Sequence, residues 1–150
     1  MQRTLILLKP DAIQRRLVGT LMGRFEQKGL RLVGLKLVQP SRELAEKHYA
    51  VHKGKPFYES LLKFLAAGPT VALVWEGREA VVVARTLMGP TDGTKAPPAT
   101  IRGDYAISVQ NNLVHGSDSA ENAAQEIALW FKPEELVNYA MVDAAWVIGS

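Results

Sequence analysis

Leu5-Ile6-Leu7-Leu8 is an unbroken apolar run that Lys9-Pro10 shuts off. Such a run is far too short for a signal-peptide core or a membrane span, and it reads as a strand buried on both faces. Comparable runs recur along the chain with helical-period stretches between them, and that alternation most constrains the fold. Asp11 and Gln14 have the spacing of a helix start, and Leu17, Leu21 and Phe25 carry the helix on to a stop at Gly29. Residues 31–38 alternate Leu32, Gly34 and Lys36 against Val33, Leu35 and Leu37, which predicts a second strand ahead of Pro40. Ser41 opens a short helix with Leu44, Ala45 and Tyr49. Pro56 leads into another over residues 57–67, apolar at Leu61, Leu62 and Leu65. Residues 71–75 read as a third buried strand and residues 80–88 as a helix despite three consecutive valines.

Between residues 89 and 99 the composition turns to Gly, Pro, Thr, Asp and Lys, the signature of a long ordered loop or lid. The fourth strand falls at residues 105–109 or at 113–115. A final helix is expected to bury Ala120, Ala123, Ala124, Ile127, Trp130 and Phe131. Short spacings and a length of 150 residues favour a ferredoxin-like α/β sandwich, a four-stranded antiparallel sheet covered by helices, over a doubly wound sheet. The expectation is a single domain over residues 1–150. A net charge of +3 permits anionic ligands without demanding nucleic acid. The absence of cysteine excludes disulfides and thiolate chemistry. With no apolar leader, a soluble cytoplasmic protein is expected, with no membrane partner.

Residues 112–121, Asn-Leu-Val-His-Gly-Ser-Asp-Ser-Ala-Glu, hold the chemistry. They place His115 at the end of a short apolar run, just ahead of a helix that Asp118 (with Glu121), Ser117 or Ser119 could cap. A helix N-terminus favours negative charge, so a nucleophile beside it suggests work on phosphate. No G-x-x-x-x-G-K-[ST] or G-x-G-x-x-G cradle is present, so cations must clamp any nucleotide. Lys9, Arg85 and Arg102 are the candidates, with Thr91 and Asn112 as neutral donors. Glu126, two turns into the helix, is placed to orient the imidazole. His48 and His52 have metal-ligand spacing but no third ligand nearby in sequence, and read as ordinary helix residues. Arg102-Gly103-Asp104 reads as a phosphate arginine followed by a turn, and Gly19 and Gly23 as a close-packing pair. Trp75, Trp130 and Trp146 read as core or interface residues.

Taken together these residues resemble the nucleoside diphosphate kinases. The matching segments are Lys9-Pro10-Asp11, Phe25-Glu26-Gln27-Lys28-Gly29, Gly68-Pro69 with Trp75-Glu76-Gly77, Thr100-Ile101-Arg102-Gly103-Asp104, residues 112–119, and Trp130-Phe131-Lys132-Pro133-Glu134-Glu135-Leu136. The resemblance implies a ping-pong transfer of a γ-phosphoryl group from a nucleoside triphosphate to a nucleoside diphosphate, through phosphohistidine at His115. It implies that Lys9, Arg85, Thr91, Arg102 and Asn112 hold phosphates and sugar, that Phe57 stacks on the base, and that Leu61 and Val109 complete the base pocket. Tyr49, Ser117 and Glu126 match residues around the histidine, and Lys9 counts among the catalytic groups as well. Mg²⁺ is expected to arrive with the nucleotide phosphates, with no dedicated protein metal site. The loop at residues 92–99 and Gln110 depart from the family pattern without removing a catalytic group. The length of the segment after Trp130 resembles the longer members, which implies a homo-oligomer, a hexamer before a tetramer. The competing reading, a nucleic-acid-binding module, lacks interleaved aromatic and basic residues.

Overall fold

The computed structural model describes residues 1–149. Its elements run β1 (Gln2–Leu8), α1 (Pro10–Gln14), α2 (Val18–Lys28), β2 (Arg31–Val38), α3 (Arg42–His48), α4 (Tyr58–Ala66), β3 (Thr70–Gly77), α5 (Ala80–Met88), α6 (Ile101–Tyr105), β4 (Val114–Gly116), α7 (Ala120–Trp130) and α8 (Ala144–Val147). The strands form one antiparallel sheet in the order β2-β3-β1-β4. This is the ferredoxin-like α/β arrangement expected from the spacing. No helix among the described residues is long and apolar enough to cross a membrane.

The run of apolar residues in β1 is explained by helices on both faces of the sheet. Ile6 and Leu8 enter a cluster with Leu21 and Phe25 of α2 and Ala84 and Met88 of α5. Leu5 and Leu7 enter a second cluster with Ala45 of α3, Leu62 and Leu65 of α4, and Ile127 and Trp130 of α7. At roughly 1.5–3 kcal/mol for each large apolar side chain taken out of water, these two layers are the main source of stability. They also aim the site, because His115 pairs with Leu7 and so projects toward α3 and α7.

Several local expectations are corrected. The helix expected from Asp11 to Gly29 is two helices, broken where Arg16 takes φ 58°, although Gly29 does end α2 with φ 107°. The alternation in β2 reverses at a bulge between Leu32 and Gly34. Val33 and Gly34 are both buried beside each other, and Leu35 and Leu37 then face outward, 52% and 68% exposed. Gly34 is needed there, since a Cβ would lie 2.9 Å from Leu136 and 3.0 Å from Phe131, which cross over it. The fourth strand is Val114–Gly116, and residues 107–109 are not a strand; the Thr100-capped helix α6 was not foreseen. The loop after α5 is ordered, with a 3₁₀ turn at Gly93–Lys95 that Asp92 caps through Thr94. In α7, Ala123, Ile127 and Trp130 are buried and Phe131 follows them, but Ala120 and Ala124 are exposed. Gly19 has no side chain or backbone of another segment close to its missing Cβ, so the expected close packing is not made within the chain. Trp75 and Trp130 are buried, whereas Trp146 is fully on the surface.

Candidate active site

Ser119 is the residue that caps α7, accepting a hydrogen bond from the Asn122 N–H at 3.1 Å. The cap starts α7 immediately after β4 and brings Glu126 back over His115. Glu126 Oε1 lies 2.9 Å from His115 Nε2 and also accepts a 2.7 Å bond from Ser117 Oγ. Ser117 is fully buried, and its Oγ accepts in turn from the Leu5 N–H. Burial works to raise the Glu126 pKa, but the hydrogen bonds from His115 and Ser117 and the nearby imidazoles hold the carboxyl below its ordinary value. An ionised carboxylate on Nε2 fixes the orientation of the ring. Gly116 is required by packing, since a Cβ there would lie 2.5 Å from Met88 Sδ.

The cations lie along β4 and the residues that lead into it. Lys9 Nζ reaches Asn112 Oδ1 at 2.5 Å and the Gln110 carbonyl at 3.3 Å. Burial lowers the Lys9 pKa to about 8, with Asp11 acting upward and Arg102 downward. Arg102 is buried, and its fork donates to the backbone carbonyls of Asn112, Gly89 and Val114. Guanidinium carries five N–H groups, so two remain for another acceptor. Burial, then the charge of Arg85, lowers its pKa to about 10. Arg85 itself donates to the Gly116 carbonyl at 3.1 Å. Asn112 Nδ2 donates to the carbonyls of Thr91 and Val109, tying the long loop to the strand. Asp104 of the Arg-Gly-Asp tripeptide pairs with Arg24 and lies within α6, so no turn follows the arginine.

These groups line one cleft of about 940 Å³. Of the residues singled out in the sequence, Lys9, Tyr49, Phe57, Leu61, Arg85, Thr91, Arg102, Val109, Asn112, His115 and Glu126 all reach it. Ser117 lies behind it, acting on Glu126. Phe57 is 47% exposed at the mouth, with Leu61 and Val109 lining the same cleft. Burial, aided by the Glu126 charge, pushes the Tyr49 hydroxyl up to about 12, so it stays protonated at neutral pH.

Residues 2–136 match the family model described as nucleoside diphosphate kinase. The chain is 58% identical over 147 residues to a nucleoside diphosphate kinase of Carboxydothermus hydrogenoformans, covering 98% of this chain and 99% of that one. This chain belongs to the nucleoside diphosphate kinase family. A relative from Synechococcus elongatus is 54% identical over 147 residues, again covering 98% and 99% of the two chains. Among solved structures, a halophilic nucleoside diphosphate kinase from Halobacterium salinarum in complex with CDP superposes with a TM-score of 0.95 at 46% identity, over 97% of each chain. A family protein from Babesia bovis gives a TM-score of 0.95 at 44% identity, over 98% of this chain and 99% of that one. As a member of this kinase family the chain is a phosphotransferase.

One residue of this kinase-family cleft was missed in the sequence. His48 ends α3, but it is not an ordinary helix residue: it is 9% exposed and packs edge-on against His115 with ring centroids 4.4 Å apart. His52 lies beyond the helix in a 3₁₀ turn and packs against Phe57 instead. His48, His115 and Glu126 present metal-capable atoms within 4.8 Å of one another. Trp130 already donates to His48 Nδ1, and His115 Nε2 already meets Glu126 Oε1. Spacing within one helix could not reveal His48's partner, because it comes from the other end of the chain.

Proposed function

We propose that the chain transfers a γ-phosphoryl group between nucleotides by a ping-pong route through His115. The observation that carries this reading is the Glu126 contact with Nε2, which leaves Nδ1 of a cleft-lining imidazole for attack. In the first half-reaction Nδ1 attacks the γ-phosphorus, the P–N bond forms, and the bond to the bridging oxygen breaks with its electron pair leaving on the nucleoside diphosphate. The ring becomes cationic with its Nε2–H on Glu126, whose charge compensates it. A second diphosphate then attacks the phosphohistidine from the same cleft and regenerates neutral His115. Charge spreads over the transferring oxygens in such a step, so most of the catalysis is placement of cations. Lys9, the two spare N–H groups of Arg102, Arg85 and the Asn112 amide are the groups for that role.

Magnesium fits a cleft rich in cations when it enters on the phosphates and shields their charge. Besides Glu126, the carboxylate that lines the cleft is Asp118. Phe57 offers a half-exposed ring for stacking, which accepts any base, with Leu61 and Val109 on the flanks. Residues 1–150 act as a single catalytic domain in a cytoplasmic homo-oligomer, with a hexamer favoured. Exposed Leu35 and Leu37 on the edge strand β2, and Val142 and Trp146 beyond α7, support self-association.

Incubation with γ-labelled ATP should leave a single acid-labile phosphate per chain that transfers to GDP. Phosphorus NMR should place it on Nδ1 of His115. A protein that forms no phosphoenzyme, or a His115→Ala variant with wild-type turnover, would sink the mechanism. Mass measurement in solution tests the hexamer.

A further inference from the structure

Leu113 is a fully buried leucine with φ 76°. The Val114 N–H donates across it to the Asn112 carbonyl at 2.9 Å. A bond from residue i to i+2 with positive φ at the centre is the rare, strained form of the γ-turn. Residues in such conformations persist only when their surroundings over-determine them. Here the turn is gripped from several sides. Arg102 holds the carbonyls of Asn112 and Val114, and the Lys9 N–H donates to the Leu113 carbonyl at 2.8 Å. The Leu113 N–H is held by one group among the described residues, Asp11 Oδ2, at 3.1 Å. Asp11 does not line the cleft. Its other oxygen is buried with no hydrogen-bond partner, an expensive state for a carboxylate that serves only to fill space.

The turn has a consequence for the site. It sits between Asn112, whose amide meets Lys9, and His115, which meets Glu126. Relaxing Leu113 to an ordinary φ would swing the Asn112 side chain and β4 relative to each other. We propose that Asp11 is a positioning residue for phosphoryl transfer: by pinning the Leu113 N–H it holds the γ-turn that sets Asn112 and His115 at a fixed spacing from Lys9. The proposal rests on the phosphohistidine reading above. Asp11 has a second, separable effect through its charge. Lys9 is faced by Asp11 of α1, Arg102 of α6, Arg85 of α5, His48 of α3, His115 of β4 and Glu126 of α7. The Asp11 charge raises the Lys9 pKa against burial and Arg102.

The test uses the full chain and two variants. Asp11→Asn keeps an oxygen for the Leu113 N–H and loses the charge; Asp11→Ala loses both. Single-turnover phosphorylation by Mg·ATP should slow at least about tenfold in Asp11→Ala, as small misplacements of reacting groups do. In Asp11→Asn the rate at neutral pH should stay near wild type, while the alkaline limb of kcat/KM moves to lower pH. A change in rate smaller than threefold in a folded Asp11→Ala protein overturns the proposal. Should that variant not fold, a single-turnover rate in Asp11→Asn more than tenfold below wild type on the pH plateau below the alkaline limb overturns it instead, because that variant keeps an acceptor for the Leu113 N–H. Wild-type protein that forms no phosphohistidine would mark failure of the underlying mechanism, distinct from failure at Asp11.

Discussion

Trp130 Nε1 donates to His48 Nδ1 over 3.1 Å, and this fixes the tautomer of the imidazole that leans on His115. A neutral ring that accepts at Nδ1 carries its proton on Nε2. His48 therefore forms a rigid neutral wall behind His115. Replacing it with alanine should slow phosphohistidine formation about tenfold, because His115 gains room to tilt while Glu126 holds one corner only. His52→Ala should act mainly on KM through Phe57, which its ring supports. Rapid-quench phosphorylation and steady-state kinetics separate the two, and equal small effects at both positions would refute the wall.

His48 also predicts an acid-sensitive fold. Burial, then the charge of His115, lowers its pKa from 6.5 to about 3. Between those values the unfolded chain binds a proton that the folded chain does not, so stability falls as pH falls from 6.5 toward 3. The slope from this residue approaches about 1.4 kcal/mol per pH unit. Glu126 adds to the loss further down, since its folded carboxyl is held below 4.5. Urea unfolding across this range should show the slope in the wild type and a flatter line from pH 6 to 5 in His48→Phe. Parallel lines would remove His48 as the cause.

The layers of this fold were legible because periodicity reports burial directly. Residues 5–8 were apolar at every position, and they proved to lie between two helical layers. Strand β2 misled for a physical reason. A bulge at Val33 costs nothing visible in the pattern, yet it turns Leu35 and Leu37 outward. The site was legible as residue types, and eleven of the expected residues line one cleft. His48 and Asp11 were not, since their partners, Trp130 with His115 and Leu113, lie far along the chain. Only the folded backbone brings a carboxylate to a strained N–H.

Lys9 predicts the alkaline limit of activity. Its pKa of about 8 means that the free protein loses this charge in mildly alkaline solution. A polyphosphate favours the charged ammonium, so nucleotide binding above that pH should take up a proton. The value of kcat/KM should fall above about pH 8, and Lys9→Arg should keep whatever activity it has to higher pH, because guanidinium does not titrate there. Calorimetry in buffers of different ionisation enthalpy measures the uptake. Binding at pH 8.5 without proton uptake would show that Lys9 keeps its charge throughout.

On the proposed mechanism Arg102 and Phe57 act on opposite ends of the nucleotide, and their variants should fail differently. Arg102 uses three N–H groups on the carbonyls of Asn112, Gly89 and Val114, so it braces the site, and in the proposed transfer its two remaining N–H groups would meet charge on the transferring oxygens. Arg102→Ala should cost ~2–4 kcal/mol in kcat/KM, as loss of other charge-stabilising donors does. Arg102→Lys should recover little of it, because one ammonium cannot span three separated carbonyls and still reach a phosphate. Both variants should also unfold at lower temperature than wild type. Phe57 stands half-exposed at the cleft mouth, and in the proposed role as base platform its stacking should be worth roughly 1–3 kcal/mol shared by all bases. Phe57→Ala should raise KM for ATP, GTP and CTP together and leave their ratios near constant. Steady-state kinetics on the three nucleotides decides the matter. Selective loss of one base in Phe57→Ala would show that specific contacts read the base, and full recovery in Arg102→Lys would show that charge alone is needed at that position.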